Sequence, residues 1–249
     1  VQVEVEIDTD GLLSDNRRYW SAGVSQGVPI LLVDGKPSTP RANSEALYLV
    51  RALAPPGDVL SGNVVEVVTE TQFEGISLDS YRVIILCNMY RISNDRRKAL
   101  NAWVSDGGGL VMFLGDEVDE LSYNQQEDDL GGGLMPLKLN TIAGDPSLRN
   151  WVQLVPQSSQ HPILRILEGG QNPFLEAIKI FRWWSGTVSA DALNAGHTAV
   201  LATYSNPEAS PAIIEKSVGT GRVLVVTTAI ADWTNWTSDP SFVVTLLEI

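Results

Sequence analysis

The chain has 249 residues, enough for one large α/β domain or a core domain with an appendage. Apolar residues make up 44% and charged residues 19%, a balance that excludes intrinsic disorder. The formal charge of −13, from 17 Lys and Arg against 30 Asp and Glu, excludes binding to nucleic-acid phosphates or anionic membranes through net charge. Its only basic cluster, Arg96-Arg97-Lys98, is too small to reverse that repulsion. Cys87 is the single cysteine, so no intrachain disulfide can form.

Val1 is not an initiator Met, and Val1 to Ile7 alternates as a half-buried strand does, which predicts a chain cut from a longer protein. Pro29-Ile30-Leu31-Leu32-Val33 is a continuous apolar run, expected of a strand buried on both faces. Thr39-Pro40 then predicts a helix start, with Ala42, Ala46, Leu49, Val50 and Leu53 on one face. Val64 to Val68 and Tyr81 to Asn88 read as further strands. Ser93 caps a helix in which Ala99, Leu100, Trp103 and Val104 face inward and Arg96, Arg97 and Lys98 stay solvated. Gly107 to Gly109 ends it and opens a strand through Leu114. This alternation predicts a parallel sheet with right-handed crossovers and helices on both faces.

Beyond Asp119 the pattern is less regular, and Gln125 to Gly133 reads as a polar, Gly-rich loop. Strands are expected at Trp151 to Val155, Ile178 to Trp184, Ala199 to Tyr204, Pro211 to Lys216 and Arg222 to Thr228. Gly219-Thr220-Gly221 should join the last two as an antiparallel hairpin. Asp239-Pro240-Ser241 opens a terminal helix with Phe242, Val243, Leu246 and Leu247 at helical spacing, expected to continue past Ile249 in a longer protein. No run reaches the roughly 18 apolar residues of a membrane-spanning helix.

The most informative stretch is the turn Gly115-Asp116-Glu117-Val118-Asp119, which follows a buried strand. A nucleophile elbow places Cys, Ser or Thr on such a corner, and none lies between Phe113 and Glu120. Asp34 and Asn88 should end neighbouring strands and line one crevice with Asp116 and Glu117, the candidate ligand-binding residues. Asp116, Glu117, Asp119 and Glu120 are oxygen donors of the type hard cations prefer, yet their spacing matches no calcium loop, and Asp116 is expected to cap the next helix. Cys87, flanked by Ile84, Ile85, Leu86 and Met89, reads as a packed strand end. His161 is expected to cap a turn and His197 to lie in a surface turn. Trp183-Trp184, with Trp233 and Trp236, offers an aromatic recognition face, although strand alternation should bury at least one of the first pair.

The series "ILLVDG", "YRVIILCN", "AWVSDGGGLVMFLGD", "HPIL" and "GTGRVLVVTTAIADWTNW" followed by "DPSFVVTLLE" resembles the class I glutamine amidotransferase-like domain. More narrowly, it is similar to the version in bacterial membrane-anchored proteins with an aerotolerance-regulator-type N-terminal region and often a von Willebrand factor A-like domain. That resemblance implies a flavodoxin-like three-layer α/β sandwich, mainly parallel with an antiparallel extension, over residues 28–249. Residues 1–27 would be the tail strands of a preceding immunoglobulin-like module. Active members carry Gly-x-Cys-x-Gly at the elbow; here Glu117 takes the cysteine's place and Asp119 that of the second glycine. The resemblance therefore implies a noncatalytic pseudoenzyme ectodomain, an extracytoplasmic interaction or scaffolding module. Protein partners or other domains of the same chain, no cofactor, no metal, and a membrane link only through segments outside these residues would follow. A carboxylate- or metal-dependent hydrolase using Asp34, Asp116 and Glu117, or a small-ligand or glycan-binding domain, stands as the alternative.

Overall fold

The computed structural model describes residues 2–6, 17–21, 27–39, 44–57, 61–128, 133–157, 161–169 and 172–249. Strands β1 (Gln2–Glu6) and β2 (Arg17–Ser21) pair with each other as an antiparallel hairpin. The main sheet begins with β3 (Val28–Asp34), followed by helix α1 (Glu45–Leu53), β4 (Asn63–Thr69), the short α2 (Glu70–Phe73) and β5 (Val83–Cys87). Helix α3 (Asn94–Ser105), β6 (Gly109–Phe113), α4 (Glu120–Asp128) and β7 (Lys138–Gly144) come next. The C-terminal half adds β8 (Leu154–Pro156), α5 (Pro173–Ala177), β9 (Arg182–Thr187), α6 (Ala190–Asn194), β10 (Thr198–Tyr204), β11 (Pro211–Val218), β12 (Gly221–Val226) and α7 (Pro240–Leu247).

Eight strands form the main sheet in the order β4-β3-β5-β6-β12-β11-β10-β8. The first five are parallel and the last three pairings antiparallel. Counted in chain order, the parallel strands lie 2-1-3-4-5, the flavodoxin-like arrangement, whose topological switch falls between β3 and β5. The antiparallel extension includes the expected hairpin of β11 and β12. A second pair, β7 with β9, packs beside the sheet.

Strand alternation divides the core into two layers. Ile30, Leu32, Ile85, Cys87, Val111, Phe113, Leu224 and Val226 face α1 and α7. Their neighbours Leu31, Val33, Ile84, Leu86, Leu110, Met112, Val223 and Val225 face Phe73 of α2, Leu100 and Val104 of α3 and Tyr123 of α4. Strands β3, β5, β6 and β12 are thus apolar at both parities, which is why their sequences read as unbroken runs, whereas the edge strand β4 is largely exposed. The expected three-layer α/β sandwich is the fold of this protein.

Several local expectations are corrected. Helix α1 begins at Glu45; Pro40 and Ala42 of the expected start lie outside the described residues. Residues 125–128, expected in a loop, are the last residues of α4, and the side chain that accepts the Ser122 N–H at the start of that helix is Asp119 rather than Asp116. Arg96 and Arg97 are buried, not solvated. Arg96 lies across the Phe73 ring, 4.1 Å from its centroid, and Arg97 donates to Asn94 at 3.1 Å. Trp183 and Trp184 are both buried, on opposite faces of β9, and Trp233 and Trp236 are buried as well, so these four form no exposed aromatic face.

Candidate functional site

The carboxyl ends of β3, β5 and β6 converge at the switch point. Gly35 N–H donates to the Cys87 carbonyl at 2.9 Å, and Asn88 N–H to the Phe113 carbonyl at 2.8 Å, so parallel pairing carries past the strand ends. Asn88 then turns with φ 50°, a left-handed conformation that Asn adopts more readily than most residues. Two glycines flank it closely. A Cβ on Gly35 would lie 2.3 Å from the Asn88 carbonyl oxygen, and one on Gly115 would lie 2.3 Å from the Asn88 Cγ.

That crowding aims the amide of Asn88 into a polar network. Its Nδ2 donates to Asp116 Oδ1 at 2.9 Å and to Glu45 Oε1 at 3.4 Å, while its Oδ1 accepts the Glu117 N–H at 3.0 Å. Lys36 Nζ donates to Asp116 Oδ2 at 2.5 Å and stands 4.0 Å from Glu117 Oε1. Asp34 accepts the Ser44 hydroxyl at 2.8 Å and the Lys36 N–H at 3.2 Å, which ties the end of β3 to the start of α1. The four residues expected in the crevice therefore stand at one end of the sheet. Asn88, Asp116 and Glu117 share bonds directly, and Asp34 joins them through Lys36. Asp34 also lines a cavity of 130 Å³ with Ser44, Leu47, Val50 and Val67, and Asn88, Asp116 and Glu117 are not among its walls.

The sequence reading missed Glu45, Lys36 and Ser44. Glu45 is the most perturbed of them, only 5% exposed in the first turn of α1. Burial pushes its carboxyl up to about 7, with Asp116 and Asp232 adding to the rise and Lys36 opposing it. Asp116 moves the other way: burial would raise it, but the Lys36 ammonium and the Asn88 amide outweigh that and hold it below its usual value. Burial likewise disfavours the charged Lys36, and Asp116 overcomes it, raising Lys36. Acidic residues early in a helix are common at solvated N-termini, so nothing in the sequence marked Glu45 as enclosed.

Chemically this is a closed electrostatic knot. Cys87 Sγ lies 3.7 Å from Glu45 Oε2, and burial first, then the Glu45 and Asp34 charges, push the thiol well above its ordinary value. Such a thiol is the inert, packed kind expected from the sequence. The elbow after β6 is occupied by Asp116 and Glu117, and the Gly115 carbonyl accepts the Trp184 indole N–H at 2.8 Å. His161 precedes the 3₁₀ turn Pro162–Leu167 without a capping side-chain bond, and its ring faces Glu215 at 3.3 Å. His197 lies exposed in a surface bend. Neither is joined to Cys87. Among the described residues, no group of three His, Cys, Asp or Glu side chains is placed to hold a metal ion.

With this geometry established, comparison with known proteins gives three results. No curated protein matches the chain in sequence. In structure it is similar to a Salmonella typhimurium protein described as cytoplasmic, with TM-score 0.63, 12% identity and coverage of 89% of this chain and 96% of that one. It is similar also to a ThuA-like protein from Bacteroides uniformis, with TM-score 0.55, 14% identity and coverage of 92% and 93%. A β-galactosidase from Bacillus circulans sp. alkalophilus aligns at TM-score 0.56 and 13% identity, over 89% of this chain but 31% of that one. At these identities the likeness is one of fold. The chain spans less than a third of that galactosidase.

The third result is a family model described as the β-galactosidase trimerisation domain, which matches residues 62–238. It overturns the amidotransferase resemblance, because the match runs through β4 to β12, including the stretches "YRVIILCN", "AWVSDGGGLVMFLGD" and "HPIL" on which that resemblance rested. A strand-helix alternation shared by many flavodoxin-like proteins misled the assignment. The membrane-anchored scaffold, the pseudoenzyme ectodomain and the extracytoplasmic location fall with it. No described helix is long and apolar enough to cross a membrane, and two structural relatives are described as cytoplasmic proteins. From the model match over most of its length, the chain belongs to the β-galactosidase trimerisation domain family.

Proposed function

We propose that this chain is an assembly module that associates with further copies of itself, three in all, and so holds attached domains together. The carrying observation is the family match across β4 to β12, in a family whose name specifies trimerisation. The alignment with part of a β-galactosidase supports the same reading, since this fold there accounts for one portion of a larger chain. Within the module, the network of Asp34, Glu45, Asn88, Asp116 and Glu117 is assigned a structural part, pinning three strand ends and the start of α1. Most of its polar groups already meet one another.

The hairpin of β1 and β2 is proposed to belong to a preceding β module, with the α/β domain beginning at Val28. Limited proteolysis should then release a stable fragment starting between β2 and β3. Sedimentation equilibrium tests the assembly itself. A species of three times the 27.0 kDa chain mass is expected, and a monomer at every concentration would sink the proposal.

A further inference from the structure

A second polar feature lies at the opposite end of the sheet from the switch point. A cleft of 480 Å³ runs between α3 and residues 76–82, and it reaches the amino ends of β5 and β6 at Arg82 and Gly108. Leu78 and Trp103 supply apolar wall, while Arg82, Asp79 and Asp106 are exposed on its rim. Arg96 lines it from α3 and is 7% exposed.

The state of Arg96 is unusual. Its Nε and Nη2 are enclosed without a hydrogen-bond acceptor, and its guanidinium rests on the Phe73 ring. Glu74, the carboxylate whose charge acts on it, is engaged by the Ser93 hydroxyl at 2.7 Å. A guanidinium taken out of water against an aromatic face, with two nitrogens lacking an acceptor and Glu74 held by Ser93, lacks the hydrogen-bonded anion that normally accompanies a buried cation.

We infer that this cleft is an anion site in which Arg96 receives the carboxylate of a small apolar monocarboxylate. A carboxylate that displaces the side chains closing over Nε and Nη2 gives both donors the acceptor they lack, and their fork matches its plane. Leu78 and Trp103 suit an apolar body, and the volume is that of a small-molecule site. Asp79 and Asp106 on the rim repel a second negative charge, which selects against phosphate and dicarboxylates. Arg82 at the rim adds a cation on the path of entry.

The experiment is titration of the whole chain with benzoate, benzamide and inorganic phosphate at constant ionic strength, followed by calorimetry and by backbone amide resonances. Benzoate should bind and shift the Gly107 and Gly108 amides. Benzamide and phosphate should each bind at least about tenfold more weakly, the loss of a charge-assisted contact or the gain of a repelled charge. Arg96→Met should remove benzoate binding while the far-ultraviolet spectrum stays native. Benzoate that does not bind, binds no better than benzamide or phosphate, shifts other amides, or still binds Arg96→Met would overturn the site. The benzoate-to-benzamide ratio in the unaltered chain decides the question even where Arg96→Met does not fold.

Discussion

Gly115 is packed against Asn88 so closely that a methyl group on it would stand 2.3 Å from the Asn88 Cγ. Asn88 itself is fully buried and bridges Asp116, Glu45 and the Glu117 backbone. The end of β6 can therefore approach β5 only while one partner lacks a side chain. This contact sets the path of the elbow, in place of any nucleophile.

Gly115→Ala is expected to cost about 1–3 kcal/mol, the usual range for overpacking a filled interior. Asn88→Gly keeps the left-handed turn but strands the Glu117 N–H, at about 1–3 kcal/mol. The double substitution should cost less than the sum, because the new methyl then meets no amide. Urea midpoints of the four proteins check this; strict additivity would show that the two residues do not share one space.

Glu45 gives the chain a pH dependence of definite sign. Burial pushes its carboxyl up to about 7 in the fold, from an ordinary value of 4.5. Below pH 4.5 both states are protonated and its contribution is fully present. Between 4.5 and 7 only the folded state keeps the proton, so stability falls as pH rises, and above 7 the contribution is gone. Glu45→Gln should remove this slope and gain at pH 8 at most on the order of 3 kcal/mol, from 1.36 kcal/mol per pKa unit. Lys36→Met should move the Glu45 titration higher still, since the ammonium favours the charged form. Carboxyl carbon resonances followed against pH read both effects, and a Glu45 midpoint near 4.5 would refute them.

How far the sequence could be read follows from which contacts are local. The apolar runs of β3, β5, β6 and β12 mark strands covered on both faces, and Asp239 caps α7 as its motif requires, accepting the Ser241 N–H at 2.9 Å. The ends of β3 and β5 meet as expected, which brings Asp34 and Asn88 to the same end of the sheet. Burial of Glu45 and Arg96 was not legible. Each is charged and sits on a helix, and each is enclosed by a distant segment: Glu45 by Cys87 and Asn88 after β5, Arg96 by Phe73 of α2. Strand β7 escaped notice because its partner β9 lies far along the chain and the two strands meet through register shifts. The family was misread for a related reason, since an order of strands and helices describes a frame that many proteins share.

The adjacent tryptophans on β9 should respond differently to the same change. Trp184 donates its indole N–H to the Gly115 carbonyl at 2.8 Å, whereas the Trp183 Nε1 is buried with no partner. Trp184→Phe removes a hydrogen bond and leaves a buried carbonyl unsatisfied, at about 1–3 kcal/mol beyond the loss of ring area. Trp183→Phe loses similar area but discards an unpaired donor, so its net cost should be smaller. Thermal unfolding of both variants checks the order; a larger loss for Trp183→Phe would contradict it.

Cys87 should be silent toward thiol reagents until the protein opens. It has no exposed surface, and burial together with the Glu45 and Asp34 charges holds the thiol protonated at neutral pH. Labelling by a disulfide reagent in native buffer is thus expected to follow opening of the carboxyl end of the central strands, with a rate that rises in urea in step with unfolding. Glu45→Gln removes one of the charges that keep the thiol protonated, yet the thiol stays enclosed, so native labelling should remain slow. Rapid stoichiometric labelling of the native chain would mean that the ends of β3 and β5 are open to solvent, and the closed network around Asn88 would have to be abandoned.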